Sequence, residues 1–207
     1  MKTENEGQAT VLVIDDDDAM RDSLCCLMDS MKLACRTYSS ALDFLKISEL
    51  PRIGCILLDI RMPGMSGMEL LENLKERRNP LPVIIITGHG DVPLAVQAIK
   101  QGAFDFVQKP FSAQMLLERV QAALDMMRDS MQRDNKLEVM RGQFETLTER
   151  EREIMELVVA GSQSKAIGIK LGISPRTVDI HRSAIMRKLG IRTVAELVQS
   201  RLSLWQD

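Results

Sequence analysis

Up to about residue 127 the chain alternates between short apolar runs and stretches whose apolar residues recur at helical spacing. TVLVID (10–15), LACRTY (33–38), GCILLD (54–59), LPVIIIT (81–87) and FDFVQK (104–109) read as strands. Several are apolar without a break, as expected of strands buried on both faces of a parallel sheet. Helical patterns lie between them near 18–31, 40–47, 66–77 and 91–101. Five strands alternating with helices predict an α/β fold built on a doubly wound, five-stranded parallel sheet.

From Ser112 onward the pattern is helical and long. Leu116, Val120, Leu124, Met127 and Met131 recur at spacings of four, four, three and four, which makes one apolar stripe. RDNK (133–136) is polar, and no proline intervenes until Pro175. The last helix of the first part either continues as a linker helix or packs its stripe on its own domain. After Gln143 the texture is all helix. Thr148 and Glu151 have capping-box spacing, and Gly161 ends the helix they start. SKAIGIKLGI is a short second helix, closed by a turn at Gly172. Ser174 caps a third, with Pro175 at its first position and Ile180, Ile185 and Leu189 inside. A short helix, a glycine-containing turn and a basic helix make a helix-turn-helix. The expected division is therefore an α/β domain over 1–127, a helical linker over 128–142, and a small all-α helix-turn-helix domain over 143–207.

Charge supports that division. Residues 1–127 carry 13 Lys and Arg against 18 Asp and Glu, a net of −5, whereas residues 143–207 carry 10 against 8, a net of +2. An acidic front and a locally basic back imply different partners. No apolar stretch approaches the roughly 18 residues that cross a bilayer. The first ten residues lack the apolar core of a signal peptide, so a cytoplasmic protein without membrane contact is expected. Cys25, Cys26, Cys35 and Cys55 form no CxxC pair and have no histidine near them in sequence. They are expected as small core residues in a reducing compartment, not as a zinc site or a disulfide framework.

In a doubly wound sheet, ligands bind beyond the carboxyl ends of the strands. Asp15 and Asp16 follow the first strand, Asp59 ends the third, Thr87 the fourth and Lys109 the fifth. Taken singly, the Asp pair is an acidic helix start and Lys109 a solvated lysine; together they converge on one edge. Carboxylates this close repel one another unless a cation joins them. A hard divalent ion, most naturally Mg²⁺, fits oxygen ligands and leaves positions for water and phosphate oxygens. Asp15 and Asp16 are the candidate metal ligands, and Asp17 and Asp18 the candidate caps of the following helix. Asp59, standing alone, is the candidate nucleophile toward phosphorus, giving an acyl phosphate. Lys109 and the metal would neutralise the transferring group, and Thr87 would donate a hydrogen bond to it.

The set DD … D … T … K, with LLDIRMPGMSGMELL and ITGHGDVPLAVQAIKQGAFDFVQKPF, resembles the receivers of two-component response regulators, most closely the FixJ branch. The resemblance implies a flavodoxin-like receiver fold and phosphoryl transfer from a sensor histidine kinase to Asp59. It implies a Mg²⁺ site made by Asp15, Asp16, Asp59 and the backbone carbonyl of Arg61, and a cis peptide at Lys109–Pro110. It further implies a switch, in which Thr87 moves toward the phosphoryl group and Phe106 turns inward behind it. A face that includes Val96 and Lys100 would then pair two phosphorylated copies as a homodimer.

In the basic helix, Arg176, Thr177, Asp179 and Ile180 lie early enough to approach base edges of double-stranded promoter DNA. Lys165, His181, Arg182, Arg187 and Lys188 are placed for phosphates, which position a protein without specifying sequence. LTERERE, the KxIxxxLGIS run and SPRTVDIHRSAIMRKLG are similar to the output domain shared by LuxR, NarL and FixJ regulators, and such regulators imply RNA polymerase as a further partner. Ser164, Gly168 and Ala184 depart from the residues frequent in that family. Two other readings remain: a regulator indifferent to phosphorylation, which the complete receiver set opposes, and a Mg²⁺-dependent phosphohydrolase. The latter commonly pairs its aspartates as DxD followed by threonine, and VLVIDDDDAMR has no threonine there. No GxxxxGK[ST] loop is present for nucleotide hydrolysis.

Overall fold

The computed structural model describes residues 9–88 and 92–204 of the 207-residue chain. The chain divides into two compact units, Met1–Ser130 and Met131–Asp207.

In the first unit, strands β1 (Thr10–Ile14), β2 (Ala34–Tyr38), β3 (Gly54–Asp59), β4 (Val83–Thr87) and β5 (Asp105–Gln108) form one sheet. Every pairing is parallel and the order is β2-β1-β3-β4-β5. The predicted strands are all present, shifted at their ends by two residues or fewer. The helices are α1 (Asp18–Ser30), α2 (Ala41–Phe44), α3 (Gly67–Glu76), α4 (Val92–Gln101) and α5 (Ala113–Glu145). The expected start of α4 at residue 91 lies outside the described residues.

Period two along the strands sends successive side chains to opposite faces. Leu12 and Ile14 of β1 therefore join Phe44, Leu70, Leu74 and Ala98 in one layer. Val11 and Val13 join Leu24, Met28, Leu116, Val120 and Leu124 in the other. Each of these Val, Leu, Ile, Phe and Met side chains, taken out of water, contributes about 1.5–3 kcal/mol. With both faces covered, the open edge beyond the carboxyl ends of the strands is left for chemistry.

Asp17 caps α1, accepting from the backbone N–H groups of Ala19 and Met20. That helix ends in a turn with Lys32 in the left-handed region (φ 57°). Lys32 N donates to Asp29 O and Leu33 N to Met28 O, at 2.9 and 3.1 Å, which turns the chain directly into β2. Cys35 of β2 thereby comes to lie beside Cys25 of α1, and the two form a disulfide with a Cα–Cα distance of 5.5 Å. This corrects the expectation of unpaired core thiols. The ten-residue separation gave no pairing signal because the pairing depends on how α1 packs on β2. Cys55 is buried as expected, its thiol pushed up to about 12 by burial, but Cys26 is exposed.

Helix α5 is continuous over 33 residues and so runs through the expected linker. Leu116, Val120, Leu124 and Met127 are buried in the core of the first unit; the stripe packs on its own domain.

In the second unit, α6 (Glu149–Val159), α7 (Ser164–Leu171), α8 (Pro175–Lys188) and α9 (Val194–Leu204) surround Leu147, Ile154, Val158, Ile167, Val178, Ile185 and Leu197. The Thr148/Glu151 capping box, the Ser174 cap and the left-handed Gly172 are all present. Helix α9 lies beyond the elements expected from the sequence; its signal there is the pair Thr193 and Glu196, which shapes its start. Gly168 lowers the helix propensity of α7 by about 1 kcal/mol relative to alanine, and its surroundings explain why it is there. A Cβ on it would lie 2.7 Å from Ile173 O, so glycine lets the turn before α8 fold tightly onto α7.

Candidate functional site

The edge beyond the sheet is built from strand ends. Asp15, one residue past β1, continues the ladder by donating its backbone N–H to Tyr38 O at 3.2 Å. Asp59 is the last residue of β3 and Thr87 the last of β4. Lys109 follows β5, tied by its N–H to Thr87 O at 2.8 Å, and its bond to Pro110 is cis. Asp15, Asp59 and Thr87 are all buried, at 3%, 7% and 1% exposure, which is unusual for carboxylates without charged partners.

The partner is Lys109. Its ammonium donates to Asp15 Oδ2 at 2.9 Å and to Asp59 Oδ1 at 2.8 Å. The remaining oxygens are held by the backbone: Arg61 N donates to Asp59 Oδ2 at 2.6 Å, and Asp17 N to Asp15 Oδ1 at 2.9 Å. Burial raises the Asp59 carboxyl above its ordinary range. The Lys109 hydrogen bond and charge oppose that rise, and the Asp15 charge adds to it. Burial by itself would lower the Lys109 pKa, but the hydrogen bonds and charges of Asp15 and Asp59 outweigh it and hold the ammonium above its usual value.

Two buried carboxylates share one ammonium, and Asp16 stands exposed beside them. Among the described residues no three His, Cys, Asp or Glu side chains are gathered closely enough to hold a metal unaided. Mg²⁺ needs no such cage, since it keeps several waters and is commonly bound through one or two carboxylates. The surplus negative charge and the all-oxygen donors of Asp15 and Asp59 fit it.

The structure thus brings Asp15, Asp59 and Lys109 into direct contact and buries Thr87 at the neighbouring strand end. Phe106 of β5 is half-buried against the layer of Leu12 and Ile14. Val96 and Lys100 are exposed on α4, where Val92 and Ile99 extend an apolar face. Two further residues shape the site. Arg21 donates through Nη1 to the Asp15 carbonyl at 2.6 Å. Gly67, in the GMSGME stretch, gives its N–H to Ile60 O at 2.9 Å, directly behind Asp59. Position alone identifies neither.

In the second unit, Arg176, Asp179, Ile180, Ser183, Ala184 and Arg187 line one concave stripe of α8. Ile180 is 63% exposed on that stripe, unusual for a large apolar side chain in a small helical core. Lys165 is exposed on α7, and His181 is half-buried. The Thr177 hydroxyl shares a hydrogen bond of 2.8 Å with the Ser174 hydroxyl. Arg182 donates to Ser164 Oγ at 2.8 Å, and that hydroxyl donates to Asp179 Oδ1 at 2.6 Å. Lys188 departs from expectation. Its ammonium donates to Glu151 Oε2 at 2.6 Å and to Thr146 O at 3.3 Å, so a buried carboxylate holds the charge that was assigned to phosphate.

Residues 11–121 match the family model of the response regulator receiver domain, and residues 145–200 match that of the bacterial regulatory proteins of the luxR family. The chain is 43% identical to the transcriptional regulatory protein TdiR of Thauera aromatica, over 95% of this chain and 86% of that protein. It is equally identical to the transcriptional regulatory protein FixJ of Azorhizobium caulinodans, over 93% and 91%. The low-resolution structure of the response regulator StyR superposes with a TM-score of 0.80 at 38% identity, covering 94% of this chain and 98% of that one. Full-length FixJ from B. japonicum gives 0.58 at 37% identity, covering 96% and 98%.

Proposed function

Because the chain belongs to the response regulators that join a receiver to a LuxR-type DNA-binding domain, we propose that Asp59 is its phosphoacceptor and that the phosphoryl group governs promoter binding. In this reading the protein is a cytoplasmic regulator and not an enzyme. A carboxylate oxygen of Asp59 attacks the phosphorus of a phosphohistidine on a sensor kinase. The P–N bond breaks, the imidazole leaves with its electron pair, and an acyl phosphate remains on Asp59. The observation that carries this is the Lys109 ammonium, fixed within 2.8 Å of Asp59 and 2.9 Å of Asp15 where the new negative charge develops. Thr87, buried at the next strand end, donates its hydroxyl to the phosphoryl oxygens. Asp15, Asp16, Asp59 and the Arg61 carbonyl would hold Mg²⁺, which supplies further charge neutralisation at phosphorus.

The exposed α4 face with Val92, Val96, Ile99 and Lys100 supports a homodimer formed on phosphorylation, with Thr87 and Phe106 as the relay to it. Residues 1–127 act as the receiver, 128–142 as the connector and 143–207 as the output. Lys165, Arg176, Thr177, Ile180, His181, Arg182 and Arg187 meet double-stranded promoter DNA, where the bound dimer engages RNA polymerase. Light scattering with Mg²⁺ and beryllofluoride, a phosphoryl mimic, tests the gate. Wild type should pass from monomer to dimer, and Asp59→Asn should not. A wild-type mass unmoved by beryllofluoride would refute phosphorylation-driven dimerisation.

A further inference from the structure

Asp179 is the single acidic residue between Gln163 and Arg192, in a stretch that carries seven lysines and arginines. An acid there opposes the phosphate backbone and lowers affinity for any DNA, so its place on the exposed stripe of α8 suits contact with a base rather than with phosphate. The stripe places it between Arg176 and Ser183, beside the exposed Ile180. Its carboxylate is also held in position. Ser164 Oγ donates to Asp179 Oδ1 at 2.6 Å while accepting from Arg182 at 2.8 Å, so the orientation of that hydroxyl is set from both sides. Oδ2 accepts no side-chain or backbone hydrogen bond from the described residues and remains available.

Resting on the DNA-binding reading above, we infer that Asp179 reads a cytosine, its Oδ2 accepting from the exocyclic N4 amino group in the major groove, with Ser164 as the residue that positions it. The chemistry of the base edges selects this partner. Guanine presents N7 and O6, both acceptors, and thymine presents O4 and a methyl group; a carboxylate meets repulsion or no donor at either. Adenine offers N6–H₂ but sets the N7 acceptor beside it, against the second carboxylate oxygen. Cytosine presents a donor with no adjacent acceptor of its own. At any other base Oδ2 is desolvated without a donor, so Asp179 discriminates chiefly by rejection.

The test is selection from a random-sequence duplex library by the full chain, activated with Mg²⁺ and beryllofluoride, followed by titration of the selected site. Wild type should enrich sites with one fixed cytosine in each half-site. Asp179→Asn should convert that position to adenine, which asparagine reads through N6 and N7, and should bind the original site about 10- to 100-fold more weakly. Ser164→Ala should keep the cytosine but relax the preference several-fold, with an unchanged melting temperature. Identical base preferences from wild type, Asp179→Asn and Asp179→Ala would overturn the assignment while leaving DNA binding intact. A wild type with no salt-dependent binding to any duplex would remove both this inference and the reading beneath it.

Discussion

Gly67 lies so close behind Asp59 that a Cβ on it would stand 2.1 Å from the Asp59 carbonyl oxygen and 2.9 Å from the Cα of Ile60. The first residue of α3 is packed backbone to backbone against the end of β3, and only glycine permits this. Gly67→Ala must push α3 outward or displace Asp59 from Lys109. The variant should lose about 1–3 kcal/mol of stability, the usual range for forced overpacking. It should also form acyl phosphate from acetyl phosphate more slowly. Wild-type melting together with a wild-type phosphorylation rate would show that the strand end has room to yield.

Glu151 gives the second unit a pH dependence of definite sign. The hydrogen bond from Lys188 holds its carboxyl below the ordinary range, against burial and with help from Thr148. A carboxyl whose folded value is depressed contributes stability above its unfolded value, about 4.3, and loses it as pH falls through the folded one. Glu151→Gln should cost about 1–3 kcal/mol at neutral pH. Thermal melts of the two proteins should converge below the carboxylate range. A gap that stays constant with pH would mean the charge of Glu151 contributes nothing.

Arg187 and Lys188 are neighbours with different employment. Arg187 lies on the exposed stripe of α8, whereas Lys188 is bound to Glu151. Arg187→Ala should weaken binding to all duplexes alike and reduce the salt slope by about one unit. Lys188→Ala should lower the melting temperature and leave the slope unaltered. A reduced slope in Lys188→Ala would return that residue to the phosphate contacts.

The Cys25–Cys35 bond closes a short loop across the α1–β2 turn. Under non-reducing conditions Cys35→Ser should melt with about 2–3 kcal/mol less stability than wild type, the usual effect of such a loop. Added dithiothreitol should abolish most of that difference. Equal stability before reduction would show that the turn itself fixes the geometry.

Features set by local spacing were legible before the structure. The capping box on Thr148 is legible from its spacing, whereas the one on Ser66 at the start of α3 is masked by the glycines and methionines of GMSGME. The convergence of Asp15, Asp59 and Lys109 followed from strand ends in a parallel sheet, because topology alone brings those ends together. Contacts that depend on how two elements pack were not legible. Cys25 meets Cys35, Lys188 meets Glu151 across 37 residues, and Gly67 meets the Asp59 backbone through such packing. Lys188 on a basic helix reads as a phosphate contact, because the Glu151 carboxylate that binds it lies 37 residues away in the chain.

That same partner couples two helix ends. Glu151 Oε2 accepts from Thr148 N at 2.8 Å, from Thr148 Oγ1 at 3.0 Å and from Lys188 Nζ at 2.6 Å. One oxygen therefore closes the first turn of α6 and secures the last turn of α8. Helix termini ordinarily fray separately, each opening on its own clock, but here neither can open fully without freeing the group that restrains the other. Amide protons at the two ends should exchange with solvent as one cooperative set, protected by the same opening event.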